Sequence, residues 1–143
     1  MKTRQIIICC LTGMLACFHM SCETKYSQNG NLDGMWQMLR WEDTQHQTVK
    51  ADKNDGYYYC FQFNLMKVWQ AGKPQFYYLS YFTHKGDSLI LGDVFSYPGD
   101  SVRTFTDLMP YGVPSDGRFH VDKLNADKMV LSREGTVLTF RKY

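Results

Sequence analysis

Beyond the N-terminal segment, His46, His84, His120, a scatter of aspartates and Cys60 are the side chains whose types could carry acid–base, metal or nucleophilic chemistry. Their spacing argues against all three. No two of these histidines stand at metal-ligand spacing, and one thiol can build neither a metal cluster nor a disulfide. A catalytic pair of carboxylates must be held together on rigid elements. Here Asp55, Asp87, Asp100, Asp116 and Asp127 fall in turn sequences, where Asp is favoured because it hydrogen-bonds its own backbone. A Gly-x-Ser-x-Gly elbow and a phosphate loop are both absent. The expectation is no catalytic residue, no metal, no cofactor and no enzyme.

One residue does carry a chemical signature. Lys2 and Arg4 precede an apolar run from Ile6 through Phe18, which is shorter than the roughly 20 residues a spanning helix needs. A charged start, a short apolar run and a small residue before a processing point describe a secretory signal. Ser21 is the small residue, and Cys22 follows it, the arrangement in which the cysteine thiol receives lipid. Cys17, after Leu15 and Ala16, competes for that role. Cys22 is preferred because the run Glu23–Asn31 behind it is polar and suits a tether, whereas Phe18 and Met20 behind Cys17 suit a signal core. The expected division is a lipoprotein signal peptide over 1–21, a flexible tether over 22–31 and one barrel domain over 32–143.

Removing the signal removes Lys2 and Arg4 and no acid, so a formal charge of +2 falls to about zero. A neutral chain with scattered basic residues has no field to draw a polyanion, which excludes nucleic acid as an expected partner. Of five cysteines, Cys9, Cys10 and Cys17 leave with the signal. Cys60 then remains within an aromatic strand pattern, as a small apolar filler.

The elements that must position everything else are strands. Short aromatic runs alternate with turn residues: Asn54-Asp55-Gly56 before Tyr57–Phe63, Gly72-Lys73-Pro74 before Gln75–Thr83, Lys85-Gly86-Asp87 before Ser88–Leu91. Asn125-Ala126-Asp127 and Glu134-Gly135 bound the last runs. Such a rhythm describes an all-β sandwich or barrel. Alternation places Tyr57, Tyr59, Phe61 and Phe63 on one face, and Leu138 and Phe140 opposite Val137, Thr139 and Arg141. Leu65–Gln70 either continues the preceding strand or starts a new one. The stretch 101–113 reads as one short helix or a loop that partly closes an end.

The first strand begins Leu32-Asp33-Gly34-Met35-Trp36, and the chain ends Leu138-Thr139-Phe140-Arg141-Lys142-Tyr143. A Gly-x-Trp at the start with an Arg near the end resembles the signature of the lipocalin (calycin) family. The runs Phe119–Leu124 and Lys128–Leu131 are similar to those of small lipocalin-like lipoproteins of Bacteroides-type bacteria, many of them without an assigned activity. The resemblance covers most of 32–143. It implies an antiparallel up-and-down barrel of about eight strands, with Trp36 plugging the closed end and Arg141 lying on its ring. In that arrangement Gly34, Trp36 and Arg141 have structural roles.

The aromatic load is the feature open to a functional reading: the chain has nine Phe, ten Tyr and three Trp, all but Phe18 beyond the signal. Tyrosine joins an apolar face to a polar tip, which suits flat or amphipathic ligands. Tyr59, Phe61, Trp69 and Tyr78 are candidate ligand-lining residues, set against the plainer role of filling a core. Arg40, which strict alternation puts on the side of Trp36 and Met38, would need a buried partner, and an anionic ligand could supply it. The expected function is a membrane-anchored lipoprotein that binds a small apolar or amphipathic ligand in a Gram-negative cell envelope, held at the outer membrane. The alternative is an envelope module for protein or glycan with a filled barrel. The sequence leaves oligomeric state and ligand identity open.

Overall fold

The computed structural model describes residues 27–73, 75–99 and 102–143. The strands among them are β1 (Gly34–Asp43), β2 (Thr48–Asp52), β3 (Tyr57–Gln62), β4 (Leu65–Gln70), β5 (Tyr77–Lys85), β6 (Ser88–Tyr97), β7 (Val102–Arg103), β8 (Arg118–Leu124), β9 (Lys128–Arg133) and β10 (Thr136–Lys142). All pairings are antiparallel, and pairing of β10 with β1 closes the order β10-β9-β8-β6-β5-β4-β3-β1 into a ring. This is the all-β barrel of eight strands that the hairpin rhythm predicts. The extra β2 pairs with the far half of β1 beyond the 3₁₀ turn Lys53–Asp55, and β7 adds a short rung to β6. Closure leaves no long row of unpaired backbone groups, which a flat sheet of this length would expose.

Both ambiguous stretches are resolved. Leu65–Gln70 is a separate strand, turned back at Phe63-Asn64. The 101–113 stretch holds the short helix Phe105–Leu108 and the 3₁₀ turn Met109–Tyr111. Thr104 and Asp107 form a reciprocal capping box at its start, which satisfies backbone donors a one-turn helix would otherwise leave orphaned. Leu108 and Val113 drop from this segment into the core.

The seam is where sequence and fold meet most closely. Gly34 has φ +112°, a region that side chains disfavour, and an added Cβ would stand 3.1 Å from Lys142 Cε. The missing side chain lets the Lys142 chain pass. Its Nζ reaches the carbonyl oxygen of Asn31 at 2.7 Å and lies 4.5 Å from the centre of the buried Trp36 ring. Trp36 Nε1 donates to the Leu32 carbonyl at 2.8 Å. The backbone N–H of Tyr143 donates to Met35 O at 2.8 Å, extending the seam past the last strand.

The cation on the indole is therefore Lys142, not Arg141. Pairing places Trp36 opposite Lys142 and Gln37 opposite Arg141. Leu138 and Phe140 point inward, so the two-residue period carries Lys142 in with them and turns Arg141 out. The Arg141 Nε donates to Gln37 Oε1 at 2.9 Å on the outer face.

Part of the stretch expected as a tether over 22–31 lies among the described residues. Residues 27–31 are fastened to the barrel: Ser27 Oγ donates to Asp33 at 2.6 Å, Asn29 Nδ2 donates to the Phe63 carbonyl at 2.6 Å, and Gly30–Leu32 forms a 3₁₀ turn.

Two substitutions test the seam in urea unfolding. Gly34→Ala is expected to cost about 2 kcal/mol from backbone strain and the clash with Lys142. Lys142→Met, which keeps the chain and removes the charge, is expected to cost about 1 kcal/mol.

Candidate functional site

The barrel interior is the first place to look, and most of it is filled. Trp36, Met38, Tyr59, Phe61, Met66, Leu89, Met129, Leu131, Leu138 and Phe140 expose no surface at all, so no water-sized space touches them. They belong to one continuous cluster. Tyr59 lies 4.8 Å from Phe140 and 6.4 Å from Phe61 between ring centres, and Phe61 lies 5.2 Å from Phe82, edge to face. Such ring pairs add cohesion beyond their buried area. Tyr59 Oη donates to the Tyr111 carbonyl at 2.8 Å, and burial pushes its ionisation far above the ordinary tyrosine value. Two candidate ligand-lining residues, Tyr59 and Phe61, are thus core residues.

Arg40 is not buried. The pairing of β1 with β10 shifts between Met38 and Arg40, a bulge that inserts Leu39 and reverses the facing of the residues after it. Arg40 turns out, 53% exposed, with its guanidinium 2.9 Å from Glu42, and Trp41 packs against the core instead. An exposed pair of this kind needs no anionic ligand.

Trp69 also lies outside. It stacks on Tyr58, with ring centres 5.2 Å apart and planes 16° apart. Tyr58 meets Tyr143 edge-on at 5.6 Å, Tyr77 stacks on Tyr97 at 4.8 Å, and Lys67 Nζ bridges the two stacks, 5.1 Å from the Trp69 ring and 4.0 Å from that of Tyr77. The strand register sets these residues side by side: Tyr58 opposite Trp69, Trp69 opposite Tyr77, Tyr77 opposite Tyr97. The result is a cross-strand aromatic row over the outer face of β3 to β6. Cys60 shares this face, half-buried, with its thiol pushed up by burial and so kept protonated.

Tyr78 is the one candidate left at the mouth, the end of the barrel opposite Gly34. Its ring meets Tyr111 edge-on at 5.5 Å, and Tyr111 meets Tyr57 edge-on at 5.8 Å. Phe105, Tyr57 and Tyr111 are half-buried against the core. Burial raises the ionisation of all three tyrosines. Arg103 Nε donates to Ser96 Oγ at 3.1 Å, Ser96 is paired with Tyr78 across β5 and β6, and the charges of both Asp107 and Arg103 act on the Tyr78 hydroxyl. A cation and a carboxylate therefore both stand beside the ring cluster, in which Tyr78 is buried and Tyr57 and Tyr111 are half-buried. Alternation marks Tyr78 in the sequence. Tyr111 and Arg103 escape it because they lie on the irregular segment and on a two-residue strand, where no period marks a face.

Several recesses are formed by described residues. One, of about 310 Å³, lies between Gly92, Arg103 and Phe105; a second, of about 180 Å³, lies between Trp41, Gly112 and Arg133; a third, of about 290 Å³, lies beside Arg40 and Thr48. All are open to the surface.

Two of the histidines among the described residues pair with carboxylates. His46 pairs with Asp43 at 2.7 Å, which lowers the Asp43 carboxyl. His120 is exposed and held between two carboxylates, Asp122 at 2.9 Å from Nδ1 and Asp87 at 3.1 Å from Nε2. Both nitrogens are engaged with acids, mainly Asp122, and the imidazole is raised above its ordinary value. Among the described residues no group of three or more His, Cys, Asp or Glu could hold a metal ion. No helix among them is long and apolar enough to cross a membrane. Cys22 lies outside the described residues.

The geometry defines a closed antiparallel barrel with a Gly-x-Trp plug and a covered mouth. The lipocalin-like domain family matches residues 14–143, and the chain belongs to that family. A crystal structure of a lipocalin-like protein from Bacteroides uniformis is 24% identical, with a TM-score of 0.56 over 80% of this chain and 100% of that one. An uncharacterized protein from Bacteroides eggerthii is likewise 24% identical, with a TM-score of 0.56 over 78% of this chain and 99% of that one. An NMR structure of a protein from Burkholderia xenovorans, at 15% identity, has a TM-score of 0.53 over 78% of this chain and 82% of that one. These likenesses concern the fold. No curated protein matches.

Tyr59→Phe is expected to cost about 1 kcal/mol in chemical denaturation, because the Tyr111 carbonyl loses its donor. His120→Ala is expected to lower the melting temperature at about pH 5.5 and to leave it nearly unchanged at about pH 8.5. A raised histidine stabilises the fold below its unfolded value, near 6.5, and that contribution is lost as pH rises through the folded value.

Proposed function

We propose that this protein is a lipid-anchored lipoprotein of a Gram-negative envelope, held at the outer membrane through Cys22, which takes a small amphipathic molecule at the barrel mouth. The observation that carries the reading is the meeting of Tyr57, Tyr78 and Tyr111, with Arg103 bonded to Ser96, the residue paired with Tyr78. The half-buried Tyr57 and Tyr111 rings offer an apolar surface, and a guanidinium offers an anchor for an anionic end. The filled interior limits the ligand to a compact group at the rim, beside the segment Phe105–Val113 rather than beneath it, since Leu108 and Val113 are themselves packed into the core. Small-ligand binding is what a lipocalin-like barrel leads one to expect, and the signature at Ser21-Cys22 supports the envelope address.

A second reading has its own observation. The outer aromatic row Tyr143, Tyr58, Trp69, Tyr77 and Tyr97 joins a filled core, the combination suited to a protein- or glycan-interaction module.

Native mass spectrometry of the protein purified from its own membranes separates the two. A retained small molecule that is lost in both Tyr78→Ala and Arg103→Ala, and kept in Trp69→Ala, supports the mouth. An empty protein, or retention that depends on Trp69 alone, overturns it.

A further inference from the structure

The turn between β3 and β4 has an unusual composition. Its two residues, Phe63 and Asn64, join Gln62 to Leu65 across a tight hairpin. The first has φ +55°, a position where hairpin turns favour glycine and where a bulky side chain is strained. The occupant is nonetheless a phenylalanine, and it is 52% exposed. Leu65, 36% exposed, and Tyr81, 45% exposed, are paired beside it on the outer face. A half-exposed aromatic outside the core cluster, held at a strained turn tip, points to a use outside the barrel.

The start of the described chain is fastened to this same turn. Phe63 N–H donates to Ser27 Oγ at 3.0 Å, and Asn29 Nδ2 donates to Phe63 O at 2.6 Å. Cys22 precedes Ser27 by five residues, so chain geometry allows at most about 18 Å between them. A lipid on Cys22 would hold the bilayer within that reach of Phe63, Leu65 and Tyr81.

We propose that the Phe63–Leu65 turn, flanked by Tyr81, is a membrane-docking edge that sits in the interfacial layer of the phospholipid bilayer carrying the anchor. The inference rests on lipidation of Cys22. Phe63 and Leu65 supply the apolar part, and Tyr81 supplies an aromatic ring with a polar tip suited to the headgroup level. Docking at the closed end directs the mouth, with Tyr78 and Arg103, away from the bilayer. Burial of this kind reaches about 5–10 Å into the headgroup and acyl boundary.

The test uses the lipoprotein purified from its own membranes, unsubstituted and as Phe63→Trp, in phosphatidylethanolamine–phosphatidylglycerol vesicles with and without brominated acyl chains. Intact mass decides the anchor: a diacylglycerol-modified chain that begins at Cys22 is expected, and an unmodified chain overturns both the anchor and the docking. Fluorescence decides the docking separately. The added indole is expected to emit to the blue and to lose intensity in brominated vesicles, beyond any change in the unsubstituted protein. Hydrogen exchange at 62–65 in the unsubstituted protein is expected to slow on vesicles. A correct mass with a solvent-like, unquenched indole and unchanged exchange overturns the docking alone, and leaves this edge to a protein partner or a second copy.

Discussion

The contact on which the rest of the structure depends is the seam between the first and last strands. It is made by residues more than a hundred positions apart: Met35 with Tyr143, Trp36 with Lys142, Gln37 with Arg141. Closing so long a loop costs chain entropy, though the cost grows only slowly with length. The seam offsets it with a buried indole, a cation on its face and paired backbone groups. Without that closure β1 and β10 would both be edges, and the inner faces of β3 to β9 would meet water instead of one another.

Filling follows from closure. An eight-strand barrel has an interior about wide enough for its own side chains. Here inward aromatics and methionines occupy it from the Trp36 plug up to Leu108 and Val113, which descend from the cover. The groups open to a partner thereby lie at the periphery. The mouth has half-buried tyrosines and an arginine, the outer wall of β3 to β6 has stacked rings, and the far end has a strained phenylalanine beside the first described residues.

Much of the fold was legible in the sequence because barrels announce themselves through turns and alternation. Gly86 and Gly135 sit in hairpin turns at positive φ, and Tyr59 and Phe61 alternate inward as the period requires. The site was less legible, for three physical reasons. A bulge at Leu39 reversed the facing of Arg40, and a one-residue irregularity leaves no mark in a hydrophobic pattern. Trp69 is apolar yet faces outward, because aromatic pairs across strands stabilise an outer face as well as an inner one. Arg141 was set on the indole by family resemblance, although its own alternation with Leu138 and Phe140 places Lys142 there; the local period held and the analogy did not.

The seam is tested most directly by solution NMR of the Lys142 side chain in the folded barrel domain. The Cε protons are expected far upfield from their ordinary position through the Trp36 ring current, with cross-peaks to the indole. Ordinary shifts for Lys142, with indole cross-peaks from Arg141 or from neither residue, would contradict the closure described here.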